Sequence, residues 1–142
     1  MFTRYQQDLL SNLEFHMAWV DVCKMILHTM PNSKAAPFAR RMLQDEQDII
    51  ARLSRTLRVQ GAPPSRARAT KDIVIQARKR RTPESILRYI HQGVLASLRW
   101  YEDRLSVPEH PFHDLWADLH QQEANIRTDI ENLLGIKTQG TK

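Results

Sequence analysis

Three side chains able to hold a proton or a metal ion, His16, Glu46 and Glu123, fall on apolar helical stripes. From Phe38 the apolar residues are Phe38, Met42, Ile49, Leu53 and Leu57, a spacing that keeps one face of a 3.6-residue helix apolar. Glu46 lies four after Met42 and three before Ile49, within that face. From Phe112 the pattern repeats as Phe112, Leu115, Leu119, Ile126, Ile130 and Leu133, with Glu123 four after Leu119. Both carboxylates are therefore expected to point inward. A buried carboxylate left unpaired is costly, or is driven neutral, so each needs a cation, a metal ion or a hydrogen-bond donor beside it. With His16 they make three donors, enough to hold one iron or other divalent ion, and Glu14 is the substitute for His16. The plainer expectation, which we prefer, is pairing within the protein, through His16, Tyr101, Arg99 or Arg127. His110 and His113 flank Pro111 with metal-like spacing, but two turn histidines alone are weak grounds for a site. No Ser-His-Asp, Cys-His, phosphate-loop or zinc-finger spacing stands out, and no catalytic residue or organic cofactor is expected.

The elements that must position these groups are helices. A chain of 142 residues with 42% hydrophobic residues suits one domain, here 1–135, and only four glycines argue against a sheet-rich fold. The first helix is predicted from about Thr3 to Met30, stopped by Pro31 and Asn32. Its main stripe is Leu9, Leu13, His16, Val20, Cys23, Leu27 and Met30. A second stripe, Phe15, Trp19, Val22 and Ile26, makes the middle of this helix apolar nearly all round. One bundle core does not satisfy that many faces, so a connecting segment or a second subunit must cover the extra one. A homodimer through Phe15, Trp19, Val22 and Ile26 is the expectation.

The second helix is predicted to start between Ser33 and Ala36 and to end before the Gly61-Ala-Pro-Pro-Ser turn. Between Pro64 and Pro83 runs a long connection holding a short helix, Lys71 to Arg80. The third helix opens at Thr82-Pro-Glu-Ser, where Thr82 can cap and Pro83 suits the first helical position. It carries Ile86, Ile90, Val94, Leu98, Tyr101 and Leu105 and breaks before Pro108. A turn over Glu109 to His113 leads to a fourth helix that ends near Leu134, with Gly135 as its C-terminal cap, and a flexible tail over 136–142.

Four segments carry a family resemblance: Phe38-Ala-Arg-Arg-Met-Leu-Gln-Asp-Glu, Gly61-Ala-Pro-Pro, His91-Gln-Gly-Val-Leu-Ala-Ser-Leu-Arg-Trp-Tyr and Leu119-His-Gln-Gln-Glu-Ala-Asn-Ile. From Leu9 to Leu134 the chain resembles the bacterial ferritin-like and rubrerythrin-like proteins. That resemblance implies an all-α, antiparallel four-helix bundle with a long crossover between its second and third helices. It also implies metal ligands of a fixed pattern: one Glu from each of the first and third helices and Glu-x-x-His from each of the others. Here Glu14 or His16 stands at the first-helix place, and Glu46 and Glu123 match the two glutamates. Ile49 and Ile126 occupy the histidine places and Val94 the third-helix glutamate place. The ligand set is thus degenerate, and two bridged irons need more donors than remain. Ferroxidase or peroxidase activity is not expected.

Charge gives the second functional signal. From Arg66 to Arg88 there are eight basic residues against Asp72 and Glu84, a surplus of six that exceeds the net +5 of the whole chain. The densest part is Arg78, Lys79, Arg80 and Arg81. Such a segment can pair with nucleic-acid phosphates, an acidic protein or an anionic membrane surface, but no aromatic platform or nucleic-acid motif accompanies it, and a solvated linker is the plainer expectation. The lone Cys23, within an apolar helix, is expected to be a buried inert thiol. Neither a secretory leader nor a membrane span is visible, so the expected setting is the cytoplasm. The leading expectation is a non-catalytic interaction or structural protein, possessing either a reduced metal site or a basic binding segment as the alternatives.

Overall fold

The structure, a computed structural model, describes residues 3–136. It is all-helical, with α1 (Arg4–Thr29), α2 (Ala35–Val59), α3 (Lys71–Arg78), α4 (Pro83–Leu105) and α5 (His113–Leu134), one 3-10 turn at Pro64–Arg66 and no strand among the described residues. The expected tail lies outside the described residues, apart from Ile136. Packing divides the chain into two compact units, Met1–Lys79 and Arg80–Lys142.

The first unit is a helical hairpin with an appendage. Thr3 caps α1: its hydroxyl accepts from the Gln6 amide (3.1 Å), while the Thr3 amide donates to Gln6 Oε1 (2.9 Å). Caps of this kind contribute about 1 kcal/mol each. The short connection after α1 turns the chain back along itself. Gln6 Nε2 donates to the Gln60 carbonyl at 2.7 Å, so the start of α1 lies beside the end of α2 and the pair is antiparallel. Pro37 sits in the first turn of α2, where its missing N–H costs nothing. Beyond α2, Gly61 takes a left-handed φ of 75°, which only glycine adopts without strain, and its N–H closes on the Arg58 carbonyl (3.0 Å).

The connecting segment is fastened to α1 at Glu14. The Arg68 amide donates to Glu14 Oε2 (2.9 Å) and the Thr70 amide to the Glu14 carbonyl (3.3 Å). Next, α3 packs on α1, with Ala77 fully buried. It ends at Arg78, two residues short of the expected Arg80; four consecutive cations repel one another, and Thr82 is already committed as a cap. The second apolar stripe of α1 is largely buried within the chain: Trp19, Val22 and Ile26 are buried and Phe15 is half-buried. The expected dimer face is therefore not solvent-facing. Burial on α1 also follows a different path from the expected main stripe. After His16 it takes the three-residue step to Trp19 and then runs through Cys23 to Ile26, leaving Val20 and Leu27 half-buried.

The second unit is also a hairpin, α4 followed by α5. Thr82 and Ser85 form the cap of α4, Thr82 Oγ1 accepting from the Ser85 amide (3.1 Å), and Pro83 occupies the first helical position. Gly135 ends α5 with φ 73°. The buried residues of α4 are Ile86, Leu87, Ile90, Val94, Ser97, Leu98 and Tyr101, close to the predicted stripe. Trp116 is the largest side chain buried on α5. Trp100 meets it edge-on with ring centroids 5.0 Å apart, and Tyr101 lies at 5.8 Å. Such pairs contribute about 0.5–1.5 kcal/mol beyond the area they bury.

Candidate functional site

In the first unit the structure brings two of the three predicted donors together. Glu46 projects from α2 between the buried Met42 and Ile49, and His16 projects from α1 just past Leu13. Both residues are 0% exposed. His16 Nδ1 and Glu46 Oε2 stand 2.5 Å apart, a short hydrogen bond between the antiparallel helices. With the proton on Nδ1, the imidazole donates to the carboxylate. The other carboxylate oxygen, Oε1, is buried and has no hydrogen-bond partner. An interior carboxylate with one oxygen satisfied and one bare is an energetically demanding arrangement.

Glu46 also acts on its neighbourhood. Burial pushes the Cys23 thiol well above its ordinary range, and the negative charge of Glu46 adds to the effect. Cys23 is 0% exposed and stays a protonated, unreactive thiol, as its place in an apolar helix suggested.

Glu123 is 1% exposed on α5, in the second unit, as its spacing from Leu119 and Ile126 required. Ile49 and Ile126 are both buried, so hydrocarbon fills the two places where the family pattern puts imidazoles. Glu14, the substitute for His16, is occupied in holding the connecting segment. The expected arginine partners also differ: Arg99 is exposed, and Arg127 donates from Nε to Glu131 Oε2 (2.9 Å). His110 and His113 do not form a metal pair. His110 is buried and its Nδ1 accepts from the Phe112 amide (3.1 Å), closing the turn before α5, while His113 is exposed and stands 3.8 Å from Asp114.

Two contacts in the second unit escape the sequence patterns. Glu131, 2% exposed, accepts from both Arg127 and His91, whose Nε2 lies 2.7 Å from the same Oε2. His120 Nε2 and Glu102 Oε2 meet at 2.9 Å three turns away, also between α4 and α5. The i,i+4 spacing of Arg127 and Glu131 was a readable signal; the histidines depend on how the helices are phased.

The basic segment is split between the units. Arg78 and Lys79 close the first; Arg80 and Arg81 open the second. Arg80 lies over the Tyr89 ring (4.7 Å), Arg88 donates to Glu84 Oε1 (3.1 Å), and Arg68 donates to the Ser65 and Ala67 carbonyls. Arg66, Lys71, Arg78, Lys79 and Arg81 are exposed. No helix among the described residues is long and apolar enough to cross a membrane.

Compared with protein-family models, curated proteins and solved structures, the chain matches none of them.

Proposed function

We propose that this chain is a non-catalytic ferritin-like four-helix bundle that acts as an interaction or structural protein in the reducing cytoplasm. The observation that carries the reading is the His16–Glu46 hydrogen bond: one carboxylate oxygen of the interior glutamate is engaged by the protein's own imidazole. Buried Ile49 and Ile126 support it, because an alkyl group supplies no lone pair to a metal ion. Partner binding then falls to the surface, where the segment from Arg66 to Arg88 offers exposed cations to an acidic protein or to nucleic acid. Assembly through Phe15, Trp19, Val22 and Ile26 is not part of the proposal, since three of the four are buried. Elemental analysis of protein purified without chelator tests the reading. Less than a tenth of an equivalent of any transition metal is expected, on the order of adventitious loading. A full equivalent that survives gel filtration and disappears in His16→Ala would overturn it.

One observation favours a second reading, a mononuclear site for iron or another divalent ion. Glu46 Oε1 is buried without a hydrogen-bond partner, a bare anionic oxygen beside an imidazole, and an oxygen–nitrogen pair of this kind suits such ions. His16 and Glu46 would supply two donors, and Glu123 is the third that the sequence offers. A bound ion would supply charge neutralisation for Glu46; the residues themselves supply orientation and exclude water. The same elemental analysis decides between the two readings.

A further inference from the structure

We propose that the outer face of α3 is a docking surface for an acidic protein segment that carries a large aliphatic side chain. α3 turns Ala77 inward, with Ile73 and Val74 half-buried, and leaves Ile75 48% exposed on the outside. Helical spacing puts Lys71 four before Ile75, Arg78 three after it and Lys79 four after it, so one exposed hydrophobe is flanked by three exposed cations against one exposed carboxylate, Asp72, three before it. Beside it lies a depression of about 310 Å³, lined by Asp21, Ala69, Lys71, Val74, Ile75 and Arg78. That volume is at the small end for ligand sites and suits one or two side chains of a peptide. The floor is aliphatic, and the rim is cationic except for Asp21.

Charge complementarity and the apolar centre select the occupant. A nucleic-acid strand would leave Ile75 without use, since an aliphatic side chain offers a base no ring to stack on, and no aromatic side chain lines the depression. A membrane surface asks for a broad apolar helix face, whereas the apolar side of this eight-residue helix is turned inward and only Ile75 projects. An acidic segment with a leucine-like residue between carboxylates uses both features: the side chain enters the depression, and its flanking carboxylates meet Lys71, Arg78 and Lys79. The contact area is small, so binding is transient, and it weakens as salt screens the charges.

This surface deepens the interaction reading and rests on it. Metal content answers for that reading and peptide binding for the surface, so either fails alone. The test is fluorescence anisotropy of the full chain with a short fluorescein-labelled peptide of leucines spaced among aspartates and glutamates. The controls are the same peptide with serine for leucine and a labelled oligothymidylate. We expect saturable, salt-sensitive binding of the leucine peptide, weakened about tenfold by Lys71→Glu with Arg78→Glu and about threefold or more by Ile75→Ser. Arg55→Glu, an exposed charge reversal on α2, should leave it unchanged, and circular dichroism should show every variant folded. The proposal is overturned by absence of saturable binding, by equal binding of the serine peptide, by tighter binding of the oligothymidylate, or by an equal loss in Arg55→Glu.

Discussion

Each hairpin joins its two long helices through imidazole–carboxylate contacts, and the setting of those contacts differs sharply. In the first, His16 and Glu46 are wholly enclosed. In the second, Glu131 is buried but its partners reach water, the His91 side chain being 15% exposed and that of Arg127 28%. The third contact, Glu102 with His120, is mostly solvated. The same chemical pair therefore ranges from an interior device to a surface decoration. Burial, more than bond length, decides what each is worth: the enclosed pair had to shed its hydration completely, so losing one member strands the other.

Ways to break this contrast follow from that ordering. The largest effect belongs to His16→Leu, which leaves the Glu46 carboxylate enclosed without its imidazole. Unfolding free energy in urea should fall by about 3–5 kcal/mol, and the double variant His16→Leu, Glu46→Leu should regain most of it. If the double variant is as unstable as the single, the cost lies in packing and not in the pair. Glu131→Ala should cost less, about 1.5–3 kcal/mol, because the released His91 and Arg127 can rehydrate. A loss equal to that of His16→Leu would erase the distinction between the hairpins.

Cys23 provides a pH-dependent probe confined to the first hairpin. Its thiol ionises with more difficulty folded than unfolded, so above about pH 8.5 the unfolded chain releases a proton that the folded chain keeps. Cys23 thereby contributes stability that is lost as pH rises, at a slope of up to about 1.4 kcal/mol per pH unit, and Cys23→Ala should flatten that part of the profile. An unchanged slope would show that the thiol is not enclosed in solution. The smallest effect belongs to Glu102→Gln: under about 1 kcal/mol, shrinking further in added salt. A larger, salt-insensitive loss would mean that the outer contact is structural.

How much of this was legible in the sequence depends on whether a feature is local to one helix. Glu46 and Glu123 were readable as interior groups because Met42, Ile49, Leu119 and Ile126 fix the faces they occupy. The caps at Thr3, Thr82 and Gly135 were readable because capping is set within a few residues. Register between helices was not. Both a three-residue and a four-residue step after His16 give an apolar face, and only packing selects Trp19 over Val20. Glu131 follows the stripe residue Ile130, and a position at a stripe's edge is buried or exposed according to its neighbours. The fate of Phe15, Trp19, Val22 and Ile26 was equally open, because a surplus apolar face names the need for a cover and not its source.

The grip of Glu14 on the connecting segment gives that irregular stretch two protected amides, Arg68 and Thr70. Their deuterium uptake would time the unclasping of α3 from α1 separately from melting of the hairpin beneath. Cutting the clasp with Glu14→Ala would free one of the two amides while leaving the Thr70 contact to the main chain. The segment that displays α3 is thus hydrogen-bonded to α1 through one residue, and loss of that contact together with the packing of Ala77 would open the appendage to a protease.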